Sequence, residues 1–279
     1  MELTHEDVQN ILPNRELNSH KGDFGKILLL CGSRGYTGAA ALAAMGALRC
    51  GTGLVYLGVP ECIYAIEAMK LNEPVVFPLP DDDGMLSENA LNKILEILPK
   101  MDAVLLGCGM GCNENTFLIV KSVLEAYSGP VVLDADGINV LSGHIDILRG
   151  RTGITILTPH EGEFQRLAGV PVNNRMEDAK SFALQSNSIV LLKGHRTIIT
   201  DGVSCYINPT GNPGMAVGGS GDVLAGMITS LIGQGIAPLE AAACGAWLHG
   251  AAGDICAKEI GQYGMLPSDM LEVLPRLLK

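Results

Sequence analysis

Residues 211–226 read GNPGMAVGGSGDVLAG, a stretch with the residue types to handle a phosphate. Apolar residues of helical spacing follow Asp222 at once, at Val223, Leu224, Met227, Ile228, Leu231 and Ile232. Gly233, Gly235 and Pro238 close that run. Gly219, Ser220 and Gly221 therefore stand at a helix N-terminus, where unpaired N–H groups favour an anion or a developing oxyanion. Asp222 beside them could take a proton from a substrate hydroxyl. The plainer reading is an aspartate N-cap after a glycine-rich turn.

Three further clusters carry chemistry. LTPHEGEF (157–164) sets His160, Glu161 and Glu163 together, a group able to hold Mg²⁺ through water or to contact a ligand, or simply an acidic first helical turn. LLKGHRT (191–197) supplies Lys193, Gly194, His195, Arg196 and Thr197, suited to a nucleotide phosphate or ribose, or to an exposed turn. DADG (134–137) divides between a ligand-facing aspartate and a helix cap. GSRGYTG (32–38) has the wrong glycine spacing for a dinucleotide fingerprint, and GDFGK (22–26) the wrong spacing for a phosphate loop. The first still leaves a loop where a ligand could approach the backbone at Gly38 and Ala39. His249 and Trp247 read as packed residues of an Ala-rich helix.

Short apolar runs must position these clusters. KILLLCG (26–32), LVYLGVP (54–60), EPVVFPL (73–79), DAVLLGCG (102–109), PVVLDADG (130–137), GITILTPHEGE (153–163) and SIVLLKG (188–194) read as buried strands. Helical patterns lie between them, among them 38–51 and an amphipathic helix over 87–98 with Ser87 as N-cap. Thr4 and Asp7 have the spacing of a capping box. Such alternation predicts an α/β fold: a doubly wound, mostly parallel sheet with helices on both faces. TIITDG and CYINP predict an antiparallel edge. The polar clusters fall after strands, at the carboxyl edge where such sheets collect ligands. Without internal repeat or linker, residues 1–279 are expected to form one domain.

Composition narrows the partners. The net charge of −11 excludes nucleic acid as an expected partner, yet leaves room for anionic ligands held by local backbone dipoles. The charged fraction of 18% against 47% hydrophobic residues allows a large buried core. None of the eight cysteines forms a C-x-x-C, so a metal cluster is not expected and reduced thiols are. The N-terminus has no apolar signal region, and the run 223–239 is too short and too broken to span a membrane. A soluble, cytoplasmic protein is expected.

Taken in order, HKGDFG, YTGAA, LTPHEGEF, KGHRT and NPTGNPGMAVGGSGDVLAG closely resemble the ADP/ATP-dependent NAD(P)H-hydrate dehydratases, a family similar in fold to the ribokinases. The resemblance covers nearly the whole chain. It implies removal of water from the S-epimer of hydrated NADH or NADPH at the expense of ADP or ATP, with Mg²⁺, and a homo-oligomer such as a tetramer. By resemblance Lys193, Gly194, His195, Arg196, Thr197 and Gly221 contact the adenine nucleotide. Ala39, Gly109, His160 and Asp222 contact the hydrated dinucleotide. Asp222 acts as base beside the N–H groups of Gly219, Ser220 and Gly221. Glu163 aligns with the acid that organises Mg²⁺ in ribokinase relatives, with His160 where those have Asn. The rival readings are a ribokinase-like kinase for a vitamin precursor or sugar, which would stop after phosphoryl transfer, and a nucleotide sensor, which would need no Asp222.

Overall fold

A computed structural model describes residues 1–278. Its strands are β1 Lys26–Leu30, β2 Leu54–Pro60, β3 Val75–Leu79, β4 Asp81–Asp82, β5 Met85–Leu86, β6 Ala103–Leu106, β7 Val131–Leu133, β8 Thr155–Leu157, β9 Ser188–Leu192, β10 Ile198–Thr200 and β11 Cys205–Ile207. Nine of them form one sheet in the order β11-β10-β9-β8-β7-β6-β1-β2-β3, while β4 and β5 make a separate short hairpin. Every pairing in the large sheet is parallel except those of β10, which runs antiparallel to β9 and β11. The expected antiparallel edge is thus present, and a bridge from Glu2 to Ile207 lies against its outer strand.

Both faces of the sheet are buried, which explains strands that read as unbroken apolar runs. Along β1, Leu28 and Leu30 face the core shared with the helices Glu114–Ala126 and Arg175–Ser186. Ile27 and Leu29 face the opposite core, shared with Thr37–Arg49, Ser220–Gly233 and Pro238–Glu259. The chain lays β2 and β3 on one side of β1 and then β6 to β9 on the other. Its strand order therefore reverses between β1 and β6, the place where sheets of this kind open a crevice. Gly32 and Cys108 meet there, the N–H of Gly32 donating to the Cys108 carbonyl at 2.8 Å.

The helix that begins at Ser220 is held by backbone contact. A Cβ on Gly226 would stand 2.0 Å from the carbonyl oxygen of Ala43, and one on Gly46 would stand 2.6 Å from that of Val223. The two helices approach so closely because both glycines lack a side chain, and this contact fixes where the Ser220 end points. One expected helix differs. Residues 87–98 form a 3₁₀ turn over Glu88–Ala90, an α-helix over Leu91–Ile97 and a second 3₁₀ turn over Leu98–Lys100. Pro99 lacks the N–H needed to extend the α-helix. Ser87 precedes the first turn, but its hydroxyl makes no capping bond.

Candidate functional site

Gly219 is the N-cap of the Ser220–Gly233 helix, at φ +97°, a conformation open to glycine and strained for other residues. The Ser220 N–H donates to Val217 O at 3.3 Å and the Val223 N–H to Gly219 O at 3.2 Å. The N–H groups of Gly221 and Asp222 have no backbone acceptor among the described residues. Two bare donors at a helix start are suited to an anion. Asp222 is the third residue of the helix rather than its cap, so the plainer reading of this stretch gives way. Burial raises the Asp222 carboxyl to about 6, aided by the neighbouring Asp134 charge and opposed by the Cys108 thiol and Lys193.

Asp134 follows β7 and is 2% exposed. Its Oδ1 accepts from Lys193 Nζ at 2.8 Å and from Thr158 Oγ1 at 2.7 Å. The Cys108 thiol lies 3.6 Å from Oδ2, and the ligand atoms of Cys108, Asp134 and Asp222 all lie within 4.8 Å of one another. Burial alone would raise the Asp134 carboxyl, but the Lys193 ammonium and these hydrogen bonds hold it below its ordinary value. Burial likewise opposes the charge on Lys193, and the Asp134 and Glu163 carboxylates reverse that and raise it. Both groups of the pair are thus charged at neutral pH, and Lys193 Nζ also stands 3.8 Å from Glu163 Oε2.

A cavity of about 940 Å³ opens beside this pair. His160, the Lys193–Thr197 loop, Ser220 and Gly221 line it together, so residues from three separate sequence clusters converge. The loop is rigidly built. Thr197 Oγ1 donates to Gly194 O at 2.9 Å, and the Arg175 guanidinium donates to His195 O at 2.7 Å and to Leu192 O and Lys193 O at 3.1 Å. Arg196, within the same lining loop, pairs with Glu2. Deeper in the cavity His249 is buried with Nε2 3.3 Å from Ser220 Oγ. Burial lowers its imidazole to about 4, so it is neutral at pH 7. Ala39 and Gly109 meet on the other side, at the strand-order reversal, where a Cβ on Gly109 would stand 2.9 Å from that of Ala39.

His160 caps the helix Glu161–Ala168, its Nδ1 accepting from the N–H of Gly162 at 3.0 Å. Glu163 answers by accepting from the His160 N–H at 2.8 Å through Oε2. Oε2 also stands 3.8 Å from Lys193 Nζ, while Oε1 lies 3.6 Å from the His160 ring and makes no hydrogen bond among the described residues. Of the two aspartates in DADG, Asp134 is the one that joins Lys193 and Thr158 at the site, which the motif alone does not specify. Arg175, Thr158 and Cys108 carried no signal, because each acts through partners remote in sequence.

A parallel sheet reversing at β1/β6, with an anion-binding helix start and an adjacent carboxylate at its carboxyl edge, defines a ribokinase-like α/β protein. A family model for NAD(P)H-hydrate dehydratase matches residues 27–276, and the chain belongs to that family. It is 46% identical over 284 residues to the bifunctional NAD(P)H-hydrate repair enzyme Nnr of Moorella thermoacetica, covering 99% of this chain and 53% of that one. The chain thus spans about half the length of the first curated relatives it matches. It is 37% identical to the ADP-dependent (S)-NAD(P)H-hydrate dehydratase of Bacillus subtilis, covering 99% of this chain and 97% of that one. The crystal structure of the Bacillus subtilis ADP/ATP-dependent enzyme, co-crystallised with ATP/Mg²⁺, superposes with a TM-score of 0.86 at 33% identity, over 99% of this chain and 96% of that one.

Proposed function

We propose that this chain, acting as one domain over residues 1–279, removes water from the S-epimer of hydrated NADH or NADPH. ADP would become AMP plus phosphate, or ATP would become ADP plus phosphate. One observation carries the reading: the bare N–H groups of Gly221 and Asp222 lie beside a carboxyl raised to about 6. A ring hydroxyl is a poor leaving group, and a phosphate ester is a good one. The hydroxyl oxygen attacks the terminal phosphorus, its proton passes to Asp222, and the bond from that phosphorus to the nucleotide's bridging oxygen breaks. Loss of phosphate and of a proton from the adjacent ring carbon restores the double bond. Gly219 and Ser220 shape the turn that aims the N–H groups, and such aimed donors supply most of the assistance in phosphoryl transfer.

In this reading Lys193, Gly194, His195, Arg196, Thr197 and Gly221 hold the nucleotide, and Ala39, Gly109 and His160 hold the hydrate. Mg²⁺ would arrive with the nucleotide's phosphate groups, and Glu163 is the acid that would help to organise it there. Eight free cysteines support a reducing, cytoplasmic setting. No helix among the described residues is long and apolar enough to cross a membrane. The exposed apolar side chains of Tyr263, Tyr36 and Leu266 support a homo-oligomer, with a tetramer as the assembly to test.

The test is spectrophotometric. Hydrated NADH or NADPH is incubated with the protein, Mg²⁺ and ADP or ATP, and recovery of reduced-nicotinamide absorbance is followed. Recovery is expected with a nucleotide and not without one. No recovery with either nucleotide removes the proposal. A phosphorylated product that accumulates in its place moves the assignment to a kinase.

A further inference from the structure

We propose that Asp134 is a positioning residue for the phosphoryl-transfer step: it pins the Lys193 ammonium beside Gly221 and holds a like charge against Asp222. The inference deepens the reading of Asp222 as base and rests on it.

The geometry is that of one buried carboxylate serving two neighbours. Asp134 Oδ1 takes both Lys193 Nζ and Thr158 Oγ1, at 2.8 and 2.7 Å, so its position is fixed from two strands. Its chain neighbour Ala135 has φ 46°, a strained setting for a residue with a Cβ. That turn sends Asp134 inward and lets Asp136 accept from the Gly111 N–H at 2.8 Å. The pair lies directly under the anion site. A Cβ on Gly221 would stand 3.3 Å from Lys193 Nζ and 3.7 Å from Asp134 Oδ2. Lys193 therefore presents a positive charge where a transferring phosphoryl group would gather negative charge. Without Asp134 only Glu163, at 3.8 Å, would restrain it.

The second neighbour is Asp222. The groups that face it are Asp134 just after β7, Asp136 at the start of the short helix Asp136–Asn139, Cys108 just after β6 and Lys193 just after β9. Asp134 and Asp136 oppose its ionisation and Lys193 favours it. Removing Asp134 takes away the nearer opposing charge and releases Lys193 from its partner. Both changes ease loss of the Asp222 proton. Removing Lys193 does the reverse: two carboxylates are left together, and the last proton to leave the pair does so at higher pH.

Carboxyl ¹³C NMR titration of the full chain reads this without requiring turnover, with the Asp222 resonance assigned by its loss in Asp222→Asn. In Asp134→Asn the Asp222 titration is expected to fall by about one pH unit or more, a tenfold change in acidity. In Lys193→Met the last titration of the pair is expected to rise by a similar amount. The dehydratase assay should show kcat of Asp134→Asn reduced roughly 10–100-fold with nucleotide KM little changed, as for lost positioning. An unmoved Asp222 titration in folded Asp134→Asn overturns the proposal. If that variant does not fold, Lys193→Met decides it, and no upward movement overturns it. Absence of dehydratase activity in the unmodified chain would sink the functional reading while the titrations still judge the placement of charge.

Discussion

Lys193 and Asp134 are 59 positions apart in the chain, yet the ammonium of one lies 2.8 Å from the carboxylate of the other. Their side chains are 21% and 3% exposed, so the pair sits at the inner wall of the cavity rather than on the surface. Asp222 stands next to this pair and makes no ion pair of its own among the described residues. One carboxylate is kept charged and the other is kept near the point of protonation, a separation of roles that acid–base sites require.

Asp222→Asn should lower kcat by about 10²–10⁴-fold with nucleotide binding retained. In the unmodified enzyme kcat/KM should rise with pH through about 6, as the carboxyl becomes a base. The same group should affect stability with a definite sign. Its folded value lies above the ordinary 3.8, so the folded state binds the proton more tightly, and stability falls as pH rises from about 4 to about 6. The amide variant escapes that loss. Its melting temperature should exceed the parent's at pH 7–8 by a few degrees, for a gain of about 1–3 kcal/mol, and the gain should vanish near pH 4. Calorimetry across pH checks this.

Arg175 clamps the Lys193–Thr197 loop through three carbonyls without itself lining the cavity. Arg175→Met should raise nucleotide KM about tenfold and leave kcat within about threefold, since loosened binding costs roughly 1.4 kcal/mol per decade. Steady-state kinetics with ADP and with ATP would read both constants. An equal loss in kcat would place Arg175 in the chemical step instead.

Arg151 tests stability away from the site. Its buried guanidinium donates to the carbonyls of Leu124, Tyr127, Gly129, Gly153 and Ile154 and to Thr155 Oγ1, at 2.6–3.3 Å. Burial lowers it to about 10, so it stays charged at pH 7. Arg151→Met orphans these acceptors and should cost about 3–5 kcal/mol by denaturant titration. Lysine should not rescue it, because a point charge cannot reach acceptors spread around a planar fork.

Gly226→Ala tests the helix crossing. A methyl 2.0 Å from the Ala43 carbonyl cannot be accommodated without moving a helix. The loss should be about 1–3 kcal/mol or more. Because the same helix begins at Ser220, kcat should fall as well. Unchanged kinetics in the folded variant would mean that the crossing does not aim the anion site.

The sequence was most legible where physical cause is local. Every apolar run read as a strand is one, because a strand covered on both faces must be apolar throughout, and the antiparallel edge followed from two short runs around a turn. The capping box of Thr4 and Asp7 is present for the same kind of reason. The 87–98 segment is helical as its spacing predicts, although only Leu91–Ile97 is α-helix and 3₁₀ turns flank it. Ordered motifs carried the family, which a family model over residues 27–276 bears out.

By itself the sequence determined the alternation of strands and helices, the helix start ahead of Asp222 and the family, since each is written in neighbouring residues. Only the tertiary structure decided which charges meet. Asp134, Lys193 and Glu163 come from three different strand ends, and the parallel sheet brings those ends to one edge. Coulomb interaction depends on distance through space and on exclusion of water, and chain spacing reports neither.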